Sequence, residues 1–274
     1  MAYEQILYDV SDRIATITLN RPERLNAWNR VMDRDIRQAM QAASDDDDVR
    51  VIIVTGAGRG FCAGADMDAL SGIQAAGNDA REQIETGPIR GGVDLPKDFH
   101  RRITYWPTVP KPIIAAINGP CAGIGLVLTL YADLRFAADN AVFTTAFSRR
   151  GLVAEHGSSW LLPRLIGPQN ALDIMISGRK FSAGEARDMG LVSQVFTSIN
   201  FMSHVRAYAS EMCHVVSPRS MREMKRLMYH AMLQPLDAAM DAADKAMEES
   251  FTSEDFKEGV AHFMEKRAPN FTGR

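Results

Sequence analysis

The sequence has few cysteines and little excess charge. Cys62, Cys121 and Cys213 are far apart and include no CxxC pair, a pattern typical neither of a disulfide framework nor of a zinc site. We therefore predict a reducing, cytoplasmic environment. The net charge of −3 and the lack of a basic block argue against nucleic acid as the main partner.

Long uninterrupted hydrophobic runs are also missing. The N-terminal stretch MAYEQILYDV is acidic and has no apolar core, so no signal peptide is predicted. Residues 113–132 are nearly all apolar, but Asn118, Gly119 and Pro120 interrupt them. This interruption predicts a buried strand followed by a buried helix, without membrane insertion.

Several cofactor and nucleophile motifs are missing too. The sequence has no GxxxxGK[ST] and no HExxH, and residues 56–60 follow GxGxG rather than the dinucleotide-binding GxGxxG. Ser158 and Ser159 lack the GxSxG context of a serine hydrolase, and we expect them to cap a helix beginning at Trp160. We therefore predict no metal site and no redox cofactor.

What is present is an alternation of strand and helix patterns followed by helices alone. The pattern predicts an α/β core in residues 1–200 and a C-terminal helical region in residues 201–274. Glycines and scattered charges predict a long loop at 72–96. The predicted strands are 5–10, 14–19, 49–56, 113–117, 134–137, 141–145 and 191–196; the predicted helices are 29–44, 99–105, 126–131, 172–177, 183–189 and most of 201–267, with breaks at Pro218 and Pro235.

Two glycine- and alanine-rich turns carry the strongest functional signal. FCAGADM (61–67) follows the strand VRVIIVTG, and NGPCAGIG (118–125) follows KPIIAAIN. A strand-to-helix turn without bulky side chains leaves backbone N–H groups free at a helix N-terminus. Two such turns predict a pair of donors that converge on one developing oxyanion.

These turns belong to a longer set of motifs. LNRPERLNAWN, FCAGAD, KPIIAAINGPCAGIG, FSAGEARDMGLVSQVF and SEDFKEGVAHFMEKRAPNFTGR together resemble the crotonase (enoyl-CoA hydratase/isomerase) superfamily. The resemblance covers nearly the whole chain. It implies a crotonase-like spiral of ββα repeats with a C-terminal helical trimerisation region, a homotrimer or dimer of trimers, and an acyl-CoA thioester as substrate.

The resemblance also implies roles for individual positions. The backbone N–H groups of Ala65 and Ile124 would form the oxyanion hole, which polarises the thioester carbonyl. The positions that would bind coenzyme A are Leu25, Ala27, Ala63, Asp66, Met67 and Lys266. For Lys266, an ordinary exposed lysine is an equally good interpretation.

The chain departs from the hydratase pattern at two positions. Where typical hydratases carry two glutamates, this sequence has Val127 and Phe147, and neither side chain can transfer a proton. Glu155 instead resembles the single glutamate of a Δ3,Δ2-enoyl-CoA isomerase. We expect Val127, Phe147, Leu152 and Trp160 to form an apolar acyl pocket that raises the pKa of Glu155.

Other functions remain open at this stage. A hydratase would need Glu155 and a second acid or base from residues 68–106, for which the candidates are Asp68, Glu85, His100, Tyr105 and Trp106. His156 is interpreted as a bystander. A thioester hydrolase, a C–C lyase and a catalytically silent acyl-CoA-binding protein are further alternatives, since one fold supports many reactions.

Overall fold

The computed structural model describes residues 3–68, 71 and 86–274. In these ranges the strands are β1 (Ile6–Ser11), β2 (Ile14–Leu19), β3 (Val51–Gly56), β4 (Ile113–Ile117), β5 (Cys121–Ala122), β6 (Leu134–Ala138), β7 (Val142–Thr144), β8 (Phe181–Ser182) and β9 (Gln194–Phe196). The α-helices are α1 (Arg30–Asp45), α2 (Ile124–Leu130), α3 (Ser158–Ile166), α4 (Pro168–Ser177), α5 (Ala183–Asp188), α6 (Phe201–Val215), α7 (Pro218–Ala231), α8 (Leu236–Phe251) and α9 (Glu254–Glu265).

The strands form two sheets. The larger has the order β1-β2-β3-β4-β6-β9, and the smaller has the order β5-β7-β8. Strands β1 and β2 pair antiparallel, whereas the remaining neighbours in the larger sheet pair parallel. Parallel neighbours need crossover connections, and α1 provides the one between β2 and β3.

One unit repeats along the chain: a strand of the larger sheet, a short strand of the smaller sheet, then a helix. Strands β4 and β5 followed by α2 form one such turn, and β6 and β7 followed by α3 form the next. Strand β3 begins a similar turn, because Cys62 after it bridges to Cys121 in β5. The turns stack through β3, β4 and β6 into the predicted spiral of ββα units.

The central strands are buried on both faces, which explains their continuous apolar sequence. In β3, Ile52 and Val54 pack into the main core, whereas Val51 and Ile53 face a second core on the other side of the sheet. Phe201, Val205, Ala209 and Cys213 of α6 close this second core. Residues beyond 200 thus cover one face of the sheet, and the division at that residue stays a prediction.

Most predicted elements are confirmed to within a few residues. The segment 113–132 divides into β4 and α2 around Asn118-Gly119-Pro120, and no helix in the described ranges is long and apolar enough to cross a membrane. Asn29 accepts a hydrogen bond from the Met32 N–H (3.0 Å) and caps the N-terminus of α1. Ser253 similarly caps α9. Most of the predicted loop, residues 72–85, lies outside the described residues.

The predicted helix at 99–105 is wrong. This segment contains turns between two short 3₁₀ helices, Lys97–Phe99 and Trp106–Thr108. The Thr104 hydroxyl accepts a hydrogen bond from the Arg101 N–H (3.2 Å) and donates to the Asp98 carbonyl (2.8 Å). Such local side-chain bonds offer the backbone an alternative to helical pairing.

Candidate active site

Backbone hydrogen bonds hold the two glycine-rich turns against each other. The N–H groups of Phe61 and Cys62 both donate to the Pro120 carbonyl (3.1 Å each), and the Ala122 N–H donates to the Cys62 carbonyl (2.9 Å). The Asn118 side chain accepts from the Gly56 N–H (3.1 Å) and donates to the Gly56 carbonyl (2.8 Å). The two turns therefore form one scaffold, and the convergence of their amides on one oxyanion stays a prediction.

This scaffold depends on glycine at the point of closest approach. A Cβ atom on Gly125, in the first turn of α2, would lie 2.5 Å from the Cys62 carbonyl oxygen. Gly64 has φ +106°, and a Cβ there would lie 3.3 Å from the Ala122 carbonyl oxygen. Any larger residue at 125 would separate the turns, because the obstructing atom belongs to the backbone.

The backbone directs the amides of Ala65 and Ile124 away from protein acceptors. The Trp28 N–H donates to the Gly64 carbonyl (2.8 Å) and the Asp66 N–H donates to the Trp28 carbonyl (2.9 Å), so the N–H of Ala65 between them points away from Trp28. Ile124 is the first residue of α2 and has no acceptor within its helix. In the described hydrogen-bond network, neither amide donates to a protein acceptor.

The residues expected to bind coenzyme A lie beside this scaffold, except one. The Ala63 N–H donates to the Leu25 carbonyl (3.0 Å), and Leu25 adopts a left-handed conformation with φ +49°. Ala27 follows in the same loop, and Met67 is exposed. Lys266 is exposed at the end of α9, and no hydrogen bond or ion pair in the described network joins its side chain to that loop.

Asp66 is buried and paired with a cation. Its carboxylate lies 2.7 Å from the Arg21 guanidinium and accepts a hydrogen bond from the Asp68 N–H (3.0 Å). Burial by itself raises the pKa of Asp66, but the hydrogen bonds from Arg21 and Asp68 outweigh it and lower the pKa overall. Asp66 is therefore ionised at neutral pH and fixes the loop through Arg21, which also donates to the Ala27 carbonyl (2.7 Å).

The four side chains of the predicted acyl pocket differ in their burial. Val127 and Phe147 are buried in the main core, and Trp160 is half-buried with the Arg164 guanidinium stacked 4.0 Å from its ring. Leu152 contradicts the expectation, because it is 46% exposed. Its backbone N–H turns back to the Phe147 carbonyl (2.9 Å), which leaves the side chain on the outside of the turn.

Glu155 lies in the turn before α3, with its side chain 44% exposed. Burial of the rest raises its pKa above the ordinary value of 4.5, and the positive charge of Arg102 opposes that rise. The predicted capping role of Ser158 is wrong. The Ser158 hydroxyl and N–H both donate to the Glu155 carbonyl (2.8 and 3.0 Å), and α3 begins at Ser158 itself.

His156, interpreted from the sequence as a bystander, lines the cavity described below. It adopts a left-handed conformation with φ +51°, and its Nε2 atom lies 3.6 Å from Oε2 of Glu155. The Tyr131 hydroxyl donates to the His156 carbonyl (2.6 Å). Burial, and then the charge of Arg102, lower the His156 pKa to about 4, so the imidazole is neutral at pH 7.

His156 and Tyr131 lie in the wall of a cavity of about 360 Å³. Aromatic and aliphatic side chains make up much of its wall, together with a few charged groups. The lining residues are Asp98, Phe99, Arg101, Arg102, Ile103, Thr104, Tyr131, His156, Gly157, Trp160 and Leu233. Of the four side chains predicted for an acyl pocket, Trp160 lies in this wall.

Sequence reasoning missed Arg102 and Tyr131, since neither lies in a recognisable motif. The other candidates for a second acid or base are less suitable. Asp68 is exposed, Glu85 lies outside the described residues, and His100 is half-buried and does not line the cavity. Tyr105 and Trp106 are buried in the main core.

The cysteines take no part in this chemistry. All three are buried and unpaired. Cys62 and Cys121 lie in the two glycine-rich turns, and burial raises the pKa of Cys62 to about 12, so its thiol is protonated and unreactive at neutral pH.

Comparison with known proteins agrees with the fold. A model of the enoyl-CoA hydratase/isomerase family matches residues 9–274. A Rhodobacter capsulatus protein named "Probable enoyl-CoA hydratase" is 34% identical over 274 residues, 100% of both chains. Escherichia coli 1,2-epoxyphenylacetyl-CoA isomerase is 34% identical over 273 residues, 99% of both chains.

A solved structure shows the same architecture. The crystal structure of an enoyl-CoA hydratase from Polaromonas sp. JS666 has a TM-score of 0.87 to this chain at 28% identity, and the match covers 97% of this chain and 99% of that one. The resemblance to crotonases is thereby confirmed, and with it the assignment as an enzyme that processes acyl-CoA. The chain belongs to the enoyl-CoA hydratase/isomerase family.

Proposed function

We propose that this enzyme isomerises 3-enoyl-CoA to 2-enoyl-CoA, with Glu155 as the acid and base. One observation carries the proposal. The two positions where hydratases hold glutamates are occupied by Val127 and Phe147, both buried and apolar, while Glu155 lies beside the cavity with a raised pKa. A 1,3-proton shift needs one carboxylate and no bound water, and it requires neither a metal nor a redox cofactor.

The proposed reaction balances on the thioester and Glu155 alone. The ionised Glu155 removes a proton from C2, and the electron pair moves onto the thioester oxygen to give a dienolate. The N–H groups of Ala65 and Ile124 donate hydrogen bonds to that oxygen. Protonated Glu155 then returns the proton at C4, which leaves the double bond between C2 and C3. Loss of one such donor typically costs about 10²–10³ in rate.

The raised pKa of Glu155 supports this role. A general base works best when its pKa is near the operating pH, since it must accept and return the same proton. Burial raises the pKa of Glu155, and its side chain remains 44% exposed, so the carboxylate is still accessible.

A substitution at Glu155 tests the proposal. We expect Glu155→Gln to abolish conversion of 3-enoyl-CoA to the conjugated 2-enoyl-CoA, followed by its absorbance, and to leave binding of a saturated acyl-CoA intact. Glu211→Gln is the matched control, because Glu211 is exposed on α6. Full activity of Glu155→Gln would refute the proposal, and loss of activity in the control would show that the effect is not specific.

Hydration is a second candidate because His156 lies 3.6 Å from Glu155. This pair would supply the two groups that hydration needs, with neutral His156 orienting or deprotonating water. His156→Asn separates the two functions, since asparagine tolerates the left-handed backbone at this position. A hydratase would lose water addition in this variant, whereas an isomerase that depends on Glu155 alone would keep its proton shift.

Coenzyme A binding and assembly complete the proposal. The coenzyme A moiety would lie along Leu25, Ala27, Ala63, Asp66 and Met67, with Lys266 approaching its phosphates from a neighbouring subunit. We propose a cytoplasmic homotrimer or dimer of trimers. The support for assembly is a set of exposed apolar side chains on α8 and α9: Leu236, Met240, Met247, Phe251, Val260, Phe263 and Met264.

A further inference from the structure

A cation lies in the wall of the cavity beside Glu155, although much of that wall is aromatic or aliphatic. Arg102 shares the wall with Phe99, Ile103 and Trp160, and its side chain is only 26% exposed. A partly desolvated guanidinium is costly unless hydrogen-bond acceptors surround it. An acyl chain with a plain methyl end would remove its remaining water and supply no acceptor.

One edge of the guanidinium is already fixed. Nε of Arg102 donates to Oδ2 of Asp33 (2.6 Å), a buried carboxylate on α1. Within the described hydrogen-bond network the terminal nitrogens of Arg102 donate to no protein acceptor. Asp33 therefore holds the side chain in place, and the remaining N–H groups form a fork suited to a second carboxylate.

Among the described side chains, Asp33 is the one carboxylate that forms an ion pair with Arg102. Asp33 faces two arginines, because the charges of both Arg102 and Arg37 act on its carboxyl group. His156, across the wall, is neutral at pH 7 since its pKa lies at about 4. The charge of Arg102 acts to lower the pKa of Glu155, but the two side chains form no ion pair in the described network. Asp98 and Arg101, also in the wall, carry opposite charges.

The cavity lies at the far end of α2 from the oxyanion scaffold. Ile124 begins this helix, and Tyr131, which lines the cavity, ends it. Seven residues at 1.5 Å each separate the two ends by about 10 Å. With its thioester carbonyl at Ala65 and Ile124, an acyl group would extend past Glu155 and place its distal end in this cavity.

We propose that the acyl group carries a second carboxylate at its distal end, and that Arg102 binds it. The substrate class is then an ω-carboxyl acyl-CoA. This inference rests on the proposed acyl-CoA site, but not on the identity of the reaction. Two N–H groups of one planar fork would donate to the two carboxylate oxygens, a bidentate contact that lysine cannot reproduce.

Equilibrium binding of two saturated acyl-CoA thioesters of equal length tests the proposal. One ends in a carboxylate and the other in a methyl group. The comparison is repeated with acyl chains of increasing length, so that one of them reaches the cavity. We expect the wild-type protein to bind the carboxylate form about 10- to 100-fold more tightly. Arg102→Met should abolish this preference, Arg102→Lys should retain a small part of it, and Glu155→Gln should leave it intact.

Two control variants distinguish loss of the Arg102 contact from loss of the fold and from a general effect of removing an arginine. Arg102→Met leaves Asp33 buried without its partner, so the double variant Arg102→Met/Asp33→Asn removes both charges and should also lose the preference while remaining folded. Arg187→Met is the matched surface control, because within the described ranges Arg187 pairs only with its neighbour Asp188.

Equal binding of the two ligands by the wild-type protein, or a preference that survives in Arg102→Met, would overturn the inference. Failure to bind any acyl-CoA would overturn the proposed function together with it. If the wild-type protein shows the binding preference but does not isomerise 3-enoyl-CoA, the isomerase proposal alone is refuted.

Discussion

The glycine-rich scaffold and the segment 147–160, which together form the proposed site, are built differently. In the scaffold, residues 61–67 and 118–125, function depends on main-chain direction, and close contacts such as Gly125 against Cys62 hold that direction. In the segment 147–160, function depends on side chains in exposed turns with left-handed residues such as His156 and Gly157. In the proposed mechanism the packed backbone would therefore bind the thioester, while exposed side chains such as Glu155 would select the reaction.

The largest effect is expected in the scaffold. Gly125→Ala places a methyl group 2.5 Å from the Cys62 carbonyl oxygen, so the two turns must separate and at least one amide loses its direction. We expect a loss of about 10²–10³ in turnover and a lower Tm. Gly184→Ala in α5, whose Cβ would meet nothing closer than 3.7 Å, should be neutral or stabilising. Equal activity of both variants would show that the close approach is unimportant.

The next effect contrasts two apolar residues of the segment 147–160. Phe147 is buried in the main core, and Phe147→Ala should lower the free energy of unfolding by about 3–5 kcal/mol. Leu152 is 46% exposed, and Leu152→Ala should change it by less than about 0.5 kcal/mol. Denaturant titration measures both. A large loss in Leu152→Ala would show that Leu152 is covered in the native assembly.

A smaller effect concerns the pH dependence of turnover. Glu155 must be ionised to accept the C2 proton, so the rate should rise with pH through its pKa, which burial places above 4.5. Because Arg102 lowers that pKa, Arg102→Met should move the midpoint to higher pH. A pH–rate profile under saturating substrate measures this shift, and a midpoint that moves to lower pH would contradict the assigned electrostatics.

The smallest effect is on acid stability. The His156 pKa falls from 6.5 to about 4 in the folded protein, so the fold favours the neutral ring. Its contribution to stability is complete above pH 6.5 and is lost as the pH falls toward 4. His156→Asn should therefore lose less stability than the wild-type protein over that window. Parallel Tm curves for the two proteins would rule out this role for His156.

The same contrast explains which features the sequence could predict. Glycine and alanine in the turns, and the continuous apolar strands β3 and β4, reflect local requirements of backbone geometry and burial, so the fold and the pair of turns were predictable. The cavity was not, because Arg102, Tyr131 and His156 come from three distant segments. The predictions of a helix at 99–105 and of a cap at Ser158 were both wrong because a hydroxyl group hydrogen-bonds to a nearby backbone carbonyl. The residue pattern alone does not show which backbone group a serine or threonine hydroxyl will bind.

A crystal structure with a saturated acyl-CoA bound would test the central claim most directly. The account predicts that the thioester oxygen lies about 2.7–3.1 Å from the backbone nitrogens of both Ala65 and Ile124, with the Glu155 carboxylate within contact distance of C2 and C4. A thioester oxygen bound elsewhere, or a Glu155 carboxylate directed into solvent in that complex, would contradict it.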